Sequence, residues 1–164
     1  MRSIGIRLSP SCAYYSIIEK NNEDEFNLLD NSSLIIPQSA EFPFQLSFLR
    51  TNIFSIIQEF RINNAGLRIT ESVAYTPSIK RINMEGVIQE LLCDSNINNY
   101  FAGRITKIAS ILDEDKTVIK KAMKGKINIF DLDNWNDLKN EERESFIVGL
   151  AASFLKEDDL IGNA

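Results

Sequence analysis

Three strand-like segments follow one another before the first helical signal, and that order most restricts the folds open to this chain. Residues 3–8, Ser-Ile-Gly-Ile-Arg-Leu, alternate with a period of two, so Ile4, Ile6 and Leu8 share one face and Gly5 and Arg7 the other. Ser9-Pro10-Ser11 is a turn signal. Residues 13–19 are aromatic and β-branched and read as a second strand. A polar turn over Asn21 to Glu25 leads to a third strand region, Phe26 to Leu29 and Ser33 to Ile36, with an interruption expected at Asp30-Asn31.

Beyond the meander the period changes. Pro43 suits the first turn of a helix, and Leu46, Leu49, Ile53, Ile56, Ile57 and Phe60 recur at three- and four-residue spacing, as in an amphipathic helix laid on a sheet. Asn63-Asn64-Ala65-Gly66 is expected to stop it. Leu67 to Thr70 reads as a short strand ending at Glu71, residues 84–93 as a helix, and Asn99 to Ala102 as a strand bounded by Gly103. Helical stretches over 105–112 and 116–123 follow, then a polar connection over 125–139 that carries the single tryptophan, Trp135. Its neighbours Asp131, Asp133 and Asp137 would repel phosphate, so Trp135 is expected in a core or interface. Asn140 is the expected N-cap of a last helix reaching about Leu155. The expectation is one domain over residues 1–155 with a polar tail over 156–164. The order β-β-β-α-β-α-β-α gives an α/β fold, a mixed sheet flanked by helices, and several folds share it.

The residue inventory limits the chemistry. The chain has 164 residues and no histidine, which removes imidazole bases and histidine-ligated metals. Cys12 and Cys93 stand far apart, without the spacing of a zinc site or disulfide framework. Any metal chemistry would use carboxylates, which suit magnesium or manganese. No apolar run has bilayer length and the N-terminus lacks the apolar stretch of a signal peptide, so no membrane role and a cytoplasmic location are expected. The net charge of −5 argues against a broadly basic nucleic-acid binder. Lys116, Lys120, Lys121, Lys124 and Lys126 nonetheless form a local basic cluster.

Several segments, in order, resemble the RuvC-type Holliday junction resolvases of the RNase H-like superfamily. Ile4-Gly5-Ile6-Arg7-Leu8-Ser9 is similar to the family's first-strand motif, apolar-Gly-Ile-Asp-Pro-Gly, with arginine where the first catalytic aspartate stands and no glycine after Pro10. Glu71-Ser72-Val73 resembles the segment carrying the second acid, and Glu85-Gly86-Val87 the start of the next helix. Tyr100 to Lys107 resembles the strand and turn ending Ala-x-Arg/Lys-x-x-Lys, and Asp115 to Val118, leading to Ala122-Met123, a later helix. Glu141 to Ala151 is similar to the closing helix, with Glu141 and Glu144 at the last two acidic positions.

The resemblance implies a five-stranded mixed sheet whose first three strands are antiparallel. It also implies a site built from Arg7, Glu71, Glu141 and Glu144, with Lys107 and Lys116 at positions that approach DNA phosphates. Arg104, Lys107, Lys116 and Lys120 are the candidate nucleic-acid contacts. Resolvases of this type hold two divalent ions between carboxylates, and a guanidinium cannot ligate them. Arg7 is therefore expected to replace the metals as counter-charge to Glu71 and Glu144, leaving a binding module that needs no cofactor. Two alternatives stand beside it. One is a magnesium- or manganese-dependent endonuclease with Glu71, Glu141 and Glu144 as ligands; the other is a purely protein-binding structural or immunity-type protein. The partner is accordingly left open between branched or structured nucleic acid, another protein and a second copy, the last because Phe42, Phe44, Phe48 and Phe54 exceed what one helix face buries. Plainer roles are also open: Arg7 and Glu71 solvated, the acids of the last helix favouring its dipole, the lysines a wet helix face.

Overall fold

The computed structural model describes residues 1–156, so most of the expected polar tail lies outside the described residues. Strands β1 (Arg2–Ser9), β2 (Cys12–Lys20) and β3 (Phe26–Ile35) form the antiparallel meander. Helix α1 (Phe42–Phe60), strand β4 (Asn64–Arg68), helix α2 (Ile79–Asp94) and strand β5 (Asn99–Gly103) follow, then helices α3 (Ile105–Ile111), α4 (Lys116–Met123) and α5 (Asn140–Ala152). The sheet order is β3-β2-β1-β4-β5, with β4 parallel to both β1 and β5. This is the expected five-stranded mixed sheet.

The period-two pattern of β1 decides the layering. Ile4, Ile6 and Leu8 enter one core with Ala65 and Leu67 of β4, Leu49, Ile53 and Ile57 of α1, and Met84, Ile88, Leu91 and Leu92 of α2. On the other face lies a second core of Ile18, Phe101, Ile108, Ile119, Phe146 and Val148, closed by α3, α4 and α5. Trp135 belongs to it, fully buried and packed with Phe130 and Phe146 at ring-centroid distances of 5.7 and 5.6 Å. Phe44 and Phe54 remain exposed on α1, whereas Phe42 packs partly against the first core.

Helix α5 sits directly on the sheet because glycines make room for it. A methyl group on Gly5 would overlap the carbonyl oxygen of Ser145 and the amide of Gly149, and one on Gly66 would lie 2.7 Å from Val148 Cγ1. This contact explains where the sequence reading of β4 was displaced. Asn63 to Gly66 were read as a helix stop, but α1 ends earlier, at Arg61 in the left-handed conformation (φ 52°). Asn64, Ala65 and Gly66 are buried strand residues paired in register with Ser3, Ile4 and Gly5. Asn64 donates to the carbonyl oxygens of Ala152 (2.9 Å) and Leu155 (3.3 Å), so its polar side chain serves the last helix rather than a turn.

Three further boundaries differ. The third strand is continuous, its irregularity being a register shift opposite Ile17 and Ile18 rather than a break at Asp30-Asn31. Helix α2 starts at Ile79, five residues before the expected position, because the Ser78 hydroxyl accepts from the Arg81 amide at 3.2 Å. The N-cap of α5 is Lys139, not Asn140: Glu142 reaches back to the Lys139 amide at 2.7 Å, while the Asn140 side chain accepts from Arg143 at 2.9 Å.

Candidate functional site

The rows that carry Gly5 and Gly66 under α5 end in arginines. Arg7 and Arg68 are register partners on the adjacent parallel strands β1 and β4, two residues beyond the glycines, so both side chains lie on the α5 face. Two cations side by side on neighbouring strands repel unless an anion stands between them. Glu144, near the start of α5, is that anion. Arg7 Nε donates to Glu144 Oε2 at 2.9 Å, and Arg68 Nε lies 3.3 Å from the same oxygen, a charge contact rather than a directed hydrogen bond. Arg7 also donates to the carbonyl oxygen of Leu8.

The network continues from Arg68. Its Nη2 pairs with Glu71 Oε1 at 2.9 Å, and the same Glu71 oxygen accepts from the Ile105 amide at the start of α3 (3.0 Å). Glu85, buried on α2, accepts from the amide of Thr70 at 3.0 Å and from its hydroxyl at 2.9 Å. Arg81 Nε lies 2.8 Å from Glu85 Oε1. Burial, followed by the nearby charge of Arg7, pulls the Arg81 guanidinium below its ordinary value, while Glu85 and Glu144 oppose the shift. Three arginines and three glutamates thus balance in one cluster.

Of the sequence candidates, the fold brings Arg7, Glu71 and Glu144 into this cluster. Glu141 lies instead towards Tyr14 on β2, whose hydroxyl is raised by burial, then by Cys12 and by the charge of Glu141. Arg104 is exposed at the N-cap of α3, and its Nε donates to the Thr70 carbonyl at 3.1 Å. Lys107 is half-buried on α3; Lys116 and Lys120 are exposed on α4. Arg68, Arg81 and Glu85 escaped the sequence reading. Leu67 to Thr70 reads only as a short strand, and Glu85 only as part of the segment Glu85-Gly86-Val87 that resembles the start of a resolvase helix. Only the register of β4 against β1 would have exposed Arg68, by placing it opposite Arg7.

The cluster does not fit a pair of divalent ions. The strand position that the resemblance assigns to the bridging acid holds a guanidinium, and both Glu71 and Glu144 are engaged by Arg68. Among the described residues no group of three or more acidic or cysteine side chains is gathered where it could hold a metal ion.

No protein-family model and no curated protein matches the sequence. Solved structures do. Thermus thermophilus RuvC in complex with a Holliday junction substrate matches with a TM-score of 0.69 at 10% identity, over 100% of this chain and 98% of that one. The yeast mitochondrial Holliday junction resolvase matches with a TM-score of 0.58 at 16% identity, over 93% and 77% of the two chains. Fowlpox virus resolvase, solved with Holliday junction DNA, matches with a TM-score of 0.54 at 14% identity, over 95% and 100%. The chain therefore has the RNase H-like fold of the RuvC-type Holliday junction resolvases.

Proposed function

We propose that this chain is a non-cleaving resolvase-fold module that binds branched or structured nucleic acid through the segment 104–126. The observation that carries the reading is the convergence of Arg7 and Arg68 on Glu144. In a two-metal nuclease, carboxylates gather divalent cations that activate water and stabilise the leaving oxygen. Here fixed guanidiniums neutralise the carboxylates, and they add no Lewis-acid site and no ionisable water. Their charge also raises the cost of bringing magnesium or manganese close.

Binding requires cations at the surface. Segment 104–126 contains Arg104 and six lysines against Asp113, Glu114 and Asp115, in a chain whose net charge is −5. Phosphate neutralisation by such side chains supplies affinity without base recognition. The Holliday junction complexes of the Thermus and fowlpox proteins make a four-way junction the first ligand to try.

The test uses purified protein with four-way-junction and single-stranded DNA, in magnesium and in manganese, beside Arg7→Asp. Salt-sensitive junction binding without strand cleavage by the unaltered chain is expected. Metal-dependent cleavage by that chain would overturn the reading in favour of an active endonuclease. Absence of junction binding would move the search to protein partners, including a second copy.

A further inference from the structure

The segment 69–71, which follows β4, is held from four sides. The Ile69 amide donates to the Gly103 carbonyl at 3.1 Å. Thr70 donates twice to the buried Glu85 of α2 and accepts from exposed Arg104. Glu71 closes the set, because one oxygen serves both the Arg68 guanidinium and the Ile105 amide. Arg68 in turn leans on Glu144 of α5. A continuous polar path therefore runs from β1 and α5, through β4, to the first residue of α3. Helix α3 leads into α4, and the two together carry the candidate phosphate-binding cations.

We propose that Glu71 is a positioning residue for nucleic-acid binding: it fastens the start of α3 to the buried Arg68 and so fixes where the basic surface 104–126 stands on the sheet. This rests on the binding role proposed above. On this view an acid at a catalytic position of the fold acts as a structural fastener. The ion pair with Arg68 orients Glu71, and a carboxylate holds a backbone N–H more firmly than a neutral acceptor does. Loss of the fastener removes no lysine but lets α3 shift, so that fewer of the lysines meet phosphates together.

The sign of the effect separates this role from a simple charge effect. Removing an acid near phosphate should tighten binding; removing a fastener should weaken it. The experiment compares the full chain with Glu71→Ala and Glu71→Gln, measuring four-way-junction affinity across salt concentrations and amide hydrogen exchange at Ile105. For Glu71→Ala we expect exchange at Ile105 to rise roughly tenfold, the effect of losing one charge-assisted hydrogen bond. Junction affinity should fall severalfold. Glu71→Gln keeps a neutral acceptor and should recover part of the Ile105 protection and of the affinity, which distinguishes the fastener from a general folding defect. Unchanged exchange at Ile105, or tighter junction binding by Glu71→Ala, overturns the proposal. Should the unaltered chain bind no junction, the binding role fails, while faster exchange at Ile105 in Glu71→Ala still upholds the fastening of α3.

Discussion

Glu144 answers to two guanidiniums, and its removal is a different event from the removal of either one. With Arg7 replaced, Glu144 keeps Arg68. With Glu144 replaced, Arg7 and the buried Arg68 face each other across adjacent strands without their shared carboxylate. Breaking a desolvated ion pair from the side that strands charge costs about 3 kcal/mol, whereas loss of one of two partners costs about 1 kcal/mol. Urea denaturation should therefore rank Glu144→Ala well below Arg7→Met in stability, and equal losses would show that the shared contact contributes little. Arg7 drew notice in the sequence because it stands where the resolvase first-strand motif has an aspartate. Arg68 did not, because a charge in an alternating strand usually points to water. Both faces of β4 are buried, and the one that carries Arg68 is covered by α5, some 80 residues later in the chain.

Glycines with opposite consequences mark the elements. Gly5 lies where α5 presses its backbone on β1, so Gly5→Ala should cost at least about 3 kcal/mol, near the upper range for overpacking. Gly86 is exposed inside α2 with nothing near its missing side chain, so Gly86→Ala should add about 0.5–1 kcal/mol. Thermal melts of the two variants should move in opposite directions. Helix α4 offers a pH test. Hydrogen bonds from the Thr117 hydroxyl and amide, the latter at 2.7 Å, hold the Asp115 carboxyl below its usual range. A carboxyl depressed in the folded state stabilises above its unfolded pKa and loses that contribution as pH falls through the folded one. The melting difference between the unaltered chain and Asp115→Ala should thus be full at neutral pH and shrink below about pH 4. Elements with a steady period, β1, β2 and α1, were legible in the sequence. The start of β4 was not, because Asn64 and Gly66 carry turn chemistry in isolation and are strand residues only beneath a helix that needs a small surface and a side-chain amide.

At the scale of the molecule, the proposed binding role asks an acidic protein to hold phosphates with one segment. Each phosphate contact releases condensed counterions, so the logarithm of affinity should fall with the logarithm of salt at a slope of about 0.9 per contact on duplex DNA. Replacing Lys107, Lys116 or Lys120 with alanine should each reduce that slope by about one if the residue meets a phosphate. An unaltered slope in all three variants would place the contact surface elsewhere. The order of elements made a mixed sheet flanked by helices legible in the sequence, and the resemblance to the resolvases added its five strands. The cluster was only half readable, because Glu85 and Arg81 of α2 join it through the half-buried segment at Thr70.

The seat of α5 on β1 also bears on how the chain is made. Ser3 donates to the Gly149 carbonyl at 2.7 Å, and Ser16 and Ser145 share a hydrogen bond of 2.8 Å, across sequence separations of 146 and 129 residues. At synthesis rates of roughly 5–20 residues per second, the ribosome delivers α5 on the order of 10 s after the meander it must cover. During that interval one face of the nascent sheet, with Ile18 and the Gly5 notch, stands open to water and to neighbouring chains. Contacts so distant in sequence also form slowly once the polypeptide is free. Yield in the cell should accordingly depend on translation speed and chaperone supply more than the modest length of the chain suggests.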